Sequence, residues 1–67
     1  MKRELLNKTR KEKGISATQM ANILGITRRY YLKIESGDRM GTPTLWDAIE
    51  DTIGINQRKL RQTTSKL

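Results

Sequence analysis

At 67 residues the chain is one small domain over 1–67, near the lower size limit for folding without staples, with an ordered core expected over about 2–61. It has no cysteine and no histidine, which excludes disulfides and thiolate zinc sites and removes the commonest general base, so no catalytic residue, metal site or cofactor is expected. Fourteen basic residues against seven acidic give a formal charge of +7, a balance that implies a polyanionic partner, either nucleic acid or an anionic membrane surface. The alternative is charge kept for solubility alone.

A first helix is expected from about Lys2 to Lys13, with Leu5, Leu6 and Thr9 facing inward and Gly14 making the exit. Ser16-Ala17-Thr18-Gln19 reads as a capping box, in which the Ser16 hydroxyl and Gln19 amide satisfy each other's free backbone donors. Ile15 sits at staple spacing from Met20. Ala17, Met20, Ala21 and Leu24 then form a stripe of small and medium apolar residues, and Gly25 ends this second helix. Only Ile26 precedes the next cap, Thr27, so the chain turns sharply. Tyr31 and Ile34 face the core of a third helix that stops at Gly37. Thr42 caps a fourth, with Pro43 at the first helical position, where its missing N–H costs nothing. Leu45, Trp46, Ile49 and Ile53 line its inner side, and Gly54 closes it. Asn56 caps a short fifth helix, with Ile55 and Leu60 again at staple spacing, and the polar tail beyond Arg61 is expected to fray.

The fold expected is all-α, a compact bundle of four to five short helices in which the second and third form a helix-turn-helix. In DNA readers of that kind the second helix of the pair enters the major groove N-terminus first. The third helix carries Arg28 and Arg29 in its first turn, the end where each cation costs about 0.3–1 kcal/mol. A terminus that repels its own side chains is poor for stability but holds cations ready for an anion, and an arginine there is able to take guanine O6 and N7 together. The competing reading is that both arginines are simply solvated.

The stretch QMANILGITRRYYLKIESG resembles the helix-turn-helix of the phage repressor/Cro family (Cro/C1-type, XRE-like, with a lambda-repressor-like fold), whose pattern is roughly LAxxLGVSxxxISxIExG. Met20-Ala21, Leu24-Gly25-Ile26-Thr27 and Ile34-Glu35-Ser36-Gly37 occupy its diagnostic places, and the likeness extends over about residues 3 to 60. The resemblance implies base reading by Arg28, Arg29 and Lys33, and backbone or mixed contacts by Thr18, Gln19, Thr27, Tyr30, Arg39, Thr42 and Thr44. Tyr30 has packing on the protein surface as its alternative. Arg10 and Glu35 correspond to a partly buried ion pair joining the first and third helices.

Three positions depart from the pattern. Ala17 replaces a glutamine that usually bonds phosphate, Tyr31 replaces a branched aliphatic and needs a partner for its hydroxyl, and the loop Asp38-Arg39-Met40-Gly41 is one residue longer. The fourth helix holds Asp47, Glu50 and Asp51 and no basic residue. That face is expected to point away from DNA, toward Arg58-Lys59-Arg61 of its own chain or of a partner.

The reading is therefore a sequence-specific double-stranded DNA-binding transcriptional regulator. It would be a phage-like repressor acting by operator occupancy, a homodimer on an inverted repeat, with Trp46, Ile55 and Leu60 as dimer contacts if not core. The alternative is a DNA-binding antitoxin or other protein-binding module on the same fold. A membrane partner is disfavoured because the basic residues are spread over several capped helices, no apolar run approaches a membrane span, and MKRELLNKTRKEKG lacks the apolar core of a signal peptide. The expected location is the cytoplasm of a bacterial host cell, at the nucleoid. Ser65-Lys66-Leu67 matches a peroxisomal address and is read as chance.

Overall fold

A computed structural model describes residues 2–61; the tail beyond Arg61 and its terminal Ser65-Lys66-Leu67 lie outside the described residues. Five helices follow in order: α1 (Glu4–Glu12), α2 (Ala17–Leu24), α3 (Arg28–Ser36), α4 (Pro43–Ile53) and α5 (Gln57–Arg61). The described residues contain no strand, as the helical spacing of the apolar positions required. None of these helices is long and apolar enough to cross a membrane.

Local chemistry sets the boundaries. The Ser16 hydroxyl accepts from Gln19 N–H at 3.0 Å while Ser16 N–H donates to Gln19 Oε1 at 2.9 Å, a complete capping box. Thr27 and Thr42 cap α3 and α4 by accepting from Tyr30 N–H and Leu45 N–H, both at 3.1 Å, and Asn56 Oδ1 accepts from Arg58 N–H at 2.8 Å. At the far end of α2, Gly25 takes a left-handed conformation (φ 72°). Its N–H donates to Asn22 O and that of Ile26 to Ala21 O, closing the helix with a paired reverse bond that a side chain at Gly25 would strain. The same pair recurs at Gly37.

Packing is densest between α2 and α3, with α1, α4 and α5 closing around them. The core is Leu6, Met20, Ala21, Tyr31, Ile34, Leu45, Trp46, Ile49, Ile53 and Leu60. Ile15, Ala17, Leu24, Ile26 and Ile55 pack on its rim, so each pair at staple spacing, Ile15–Met20, Ile26–Tyr31 and Ile55–Leu60, supplies one rim and one core residue.

Two expectations are corrected in α1. The helix opens at Glu4, not Lys2: Arg3 stands outside the helical conformation (φ −91°, ψ 79°) with its N–H donating to Glu35 O at 2.8 Å. Leu5 faces outward at 37 % exposure, and the inner stripe is Arg3, Leu6, Thr9 and Arg10. Polar residues occupy inward positions because their partners wait there. Arg3 Nε donates to Arg61 O at 3.0 Å, and its Nη1 donates to Ile34 O and to Arg39 O at 2.9 Å. The guanidinium thus ties α1 to the end of α3, the following loop and α5.

Trp46 secures the same loop from below. Its indole N–H donates to Met40 O at 2.7 Å, and a Cβ at Gly41 would stand 3.0 Å from that indole nitrogen, so only glycine lets the loop lie this close. Trp46→Phe keeps an aromatic ring but removes the donor and leaves part of a fully buried site empty. The lost hydrogen bond alone should cost about 0.5–1.5 kcal/mol and the cavity should add to it, read as a fall of roughly 4–8 °C in Tm for each kcal/mol in a domain of this size.

Candidate nucleic-acid interface

The helix pair α2–α3 is joined through Gly25, Ile26 and Thr27, with Ile26 packed on the core so that α3 leaves the turn at a fixed angle. The orientation of α3 is set from its inner side. Tyr31 and Ile34 are fully buried, and Glu35 is the centre of a closed polar cluster.

Glu35 Oε2 accepts from Arg10 Nε at 2.6 Å and from the Tyr31 hydroxyl; Oε1 accepts from Asn7 Nδ2 at 2.7 Å and from Arg10 Nη2 at 3.4 Å. Arg10 Nη1 donates onward to Ile15 O at 2.7 Å, in the α1–α2 turn. Tyr31, the departure that needed a hydroxyl partner, finds it one turn along its own helix. No buried side-chain nitrogen or oxygen among the described residues lacks a partner. Burial acts to raise the Glu35 pKa, but hydrogen bonds from Arg10, Tyr31 and Asn7 and the Arg10 charge outweigh it and hold the carboxyl below its ordinary value. The hydrogen bond to Glu35 raises the Arg10 pKa against the effect of burial. Burial, reinforced by Glu35, pushes the Tyr31 hydroxyl well up, so it stays a neutral donor.

With residues 31, 34 and 35 turned inward, the N-terminus and outer face of α3 are left for other work. Arg28 and Arg29, its first two residues, are exposed. The ion pair among the described residues is Arg10–Glu35, so neither of these arginines is held by a carboxylate there. Their own backbone N–H groups also have no acceptor within the described residues, since the Thr27 cap serves Tyr30. The local field is positive on both counts. Lys33, four residues after Arg29, lies on the same face and is half-buried along its stem. Tyr30 packs its ring on the core rim, as one alternative had it, and its hydroxyl has no acceptor among the described residues.

The flanking candidates are arranged around this helix end. Thr18 and Gln19 are exposed in the first turn of α2. The Gln19 carboxamide oxygen is committed to Ser16, which leaves its NH2 free to donate outward. Thr27, Thr42 and Thr44 are exposed, the first two using their hydroxyl oxygens as caps and keeping the O–H to donate. Arg39 projects from the α3–α4 loop, exposed, while its carbonyl is fixed by Arg3.

The acidic face of α4 has a different partner from the one expected. Gln57 Nε2 donates to Asp47 Oδ1 at 2.7 Å and to Glu50 Oε1 at 3.0 Å, so a neutral amide rather than Arg58, Lys59 or Arg61 meets these carboxylates. Trp46 and Leu60 are at most 1 % exposed, which removes both from any surface contact and leaves only half-buried Ile55 of the three. The residue that sequence reasoning overlooked is Arg3, a buried cation with no carboxylate beside it. Burial, then the nearby Arg61 charge, lowers its pKa.

A family model described as a helix-turn-helix domain matches residues 4–63 of the chain, in agreement with the Cro/C1-type resemblance. No curated protein matches, and no solved structure matches.

Proposed function

We propose that this chain, which belongs to the helix-turn-helix domain family, is a sequence-specific transcriptional regulator that lays α3 in the major groove of double-stranded DNA. The observation that carries the reading is the pair of exposed guanidinium groups at the first turn of α3, free of any carboxylate among the described residues, on a helix whose other face is locked into the core.

Arg28, Arg29 and Lys33 read base edges in this proposal. Thr18, Gln19, Thr27, Tyr30, Arg39, Thr42 and Thr44 make backbone or mixed contacts, which chiefly fix register. Regulation is steric: the domain occupies an operator as a repressor and performs no chemistry. One domain offers few base contacts, so two copies bind an inverted repeat, with half-sites about 34–36 Å apart. Selection of bound duplexes from a random pool tests this. A two-fold symmetric consensus at one-turn spacing is expected; a pool that yields no consensus sinks sequence-specific binding, and an asymmetric one sinks the dimer.

Affinity should fall steeply with salt, because displaced counterions enter as a power of salt concentration. Arg39→Ala should weaken binding about equally on every sequence and reduce the slope of log K against log[salt] by about one. A change of base preference with the slope intact would move Arg39 from the backbone to a base.

A further inference from the structure

A cavity of about 320 Å3 opens between the α3–α4 loop, the start of α4 and the end of α5, with Arg3, Arg61, Trp46, Thr42 and Met40 on its walls. Two guanidinium groups meet there over one aromatic ring: Arg3 Cζ lies 5.3 Å and Arg61 Cζ 5.6 Å from the Trp46 ring centroid. Neither is paired with a carboxylate among the described residues. Like charges this close repel, and the ring's attraction for a cation offsets only part of that.

Arg3 carries the argument further, because it is 95 % removed from solvent by its 5 % exposure and most of its donors are spent. Nε serves Arg61 O, and Nη1 serves Ile34 O and Arg39 O. Its Nη2 has no acceptor among the described residues, and Arg3 lines the cavity. On the other wall Arg61 spends Nη2 on Gln57 Oε1 at 2.6 Å and keeps its remaining donors. The floor and rim, Trp46, Pro43 and the 81 % exposed Met40, are apolar.

We propose that this cavity is a phosphate site, in which Arg3 Nη2 and the Arg61 guanidinium hold the anion and the Trp46–Met40 rim receives the group esterified to it. A tetrahedral dianion has acceptor oxygens in several directions and so takes Arg3 Nη2 and the Arg61 guanidinium at once, with its charge offsetting both cations. The phosphate has two possible sources, the backbone of bound duplex or a free phosphate ester. The first rests on the DNA-binding reading above; the second does not.

Trp46 is the chain's single tryptophan and reports on the cavity directly. Inorganic phosphate titrated against chloride at matched ionic strength, without DNA, should change its emission saturably. Arg61→Gln, at an exposed helix end, should keep the far-UV circular dichroism of the parent and weaken the phosphate response about tenfold or more, with Arg61→Lys recovering part of it. The salt slope of duplex binding by Arg61→Gln then separates the sources. A fall of about 0.9 assigns the phosphate to the DNA backbone, and an unchanged slope assigns it to a free ester. A response to phosphate no different from chloride, or one that survives Arg61→Gln at full strength, overturns the site. Failure of the chain to bind any duplex would count against the functional reading and leave the DNA-free titration to decide this one.

Discussion

Glu35→Ala should destabilise the domain by about 3–5 kcal/mol, the range for breaking a buried ion pair from one side. The substitution leaves the Arg10 guanidinium, the Tyr31 hydroxyl and the Asn7 amide facing the space the carboxylate filled, three donors without their acceptor. A chain of this length has roughly 3–10 kcal/mol of total stability, at about 0.05–0.15 kcal/mol per residue. The variant should therefore lose about a third or more of its stability, visible in a urea titration as a midpoint shifted strongly down or, toward the low end of the range, a missing native baseline. A companion variant distinguishes pair from hub: Arg10→Met with Glu35→Leu, which replaces charge by apolar volume, should recover a substantial part of the loss. If Glu35→Ala costs less than 1 kcal/mol, the cluster is not what holds α1 on α3.

The same carboxylate sets the acid limit. Its pKa in the folded chain lies below the ordinary value, so the unfolded chain binds the proton more tightly. Its stabilising contribution is present above the unfolded pKa, about 4.3, and is lost as pH falls through the folded value. Stability measured from pH 6 downward should decline below about pH 4.5, and Glu35→Gln should flatten that part of the curve.

Arg28→Ala and Arg29→Ala should each cost about 1–3 kcal/mol on the selected operator and relax base preference there, with folding stability unchanged or slightly raised. The second half of this expectation is unusual and follows from position. Removing a cation from a helix N-terminus relieves about 0.3–1 kcal/mol of unfavourable dipole interaction, and neither side chain makes a hydrogen bond or ion pair among the described residues whose loss would offset that. Competition binding on the operator and on single-base variants, beside thermal melts, measures both. A variant that binds all duplexes equally less well would make that arginine a phosphate clamp, and one that also loses several degrees of Tm would mean the side chain packs.

The starts and stops of the helices after α1 were legible because they rest on residues close together in the chain: Ser16 with Gln19, Thr27 with Tyr30, the glycine exits at Gly25 and Gly37. The Tyr31 partner was within reach of the same reasoning, being four residues away on the same helix. Arg3 was not. Its acceptors are the carbonyls of Ile34, Arg39 and Arg61, at separations of 31, 36 and 58 residues, and backbone carbonyls leave no mark in sequence. Hydropathy therefore placed Leu5 inward, where the fold places a guanidinium three positions before Leu6. The acidic face of α4 misled for a related reason. Charge counting proposes a basic partner, whereas Gln57 satisfies two carboxylates with one amide. Arg28 and Arg29 were legible as adjacent cations in the first turn of α3, and their freedom from carboxylates among the described residues became visible only in the structure.

Tyr31, Ile34 and Glu35 anchor α3 from one side, while Arg29 and Lys33 stand on the other and Arg28 projects from the open N-terminal end. In the proposed reading, text and binding are printed on separate faces of the same page. Exchanging Arg28, Arg29 and Lys33 would then change the address on the chromosome without renegotiating the scaffold, since none of the three belongs to the core.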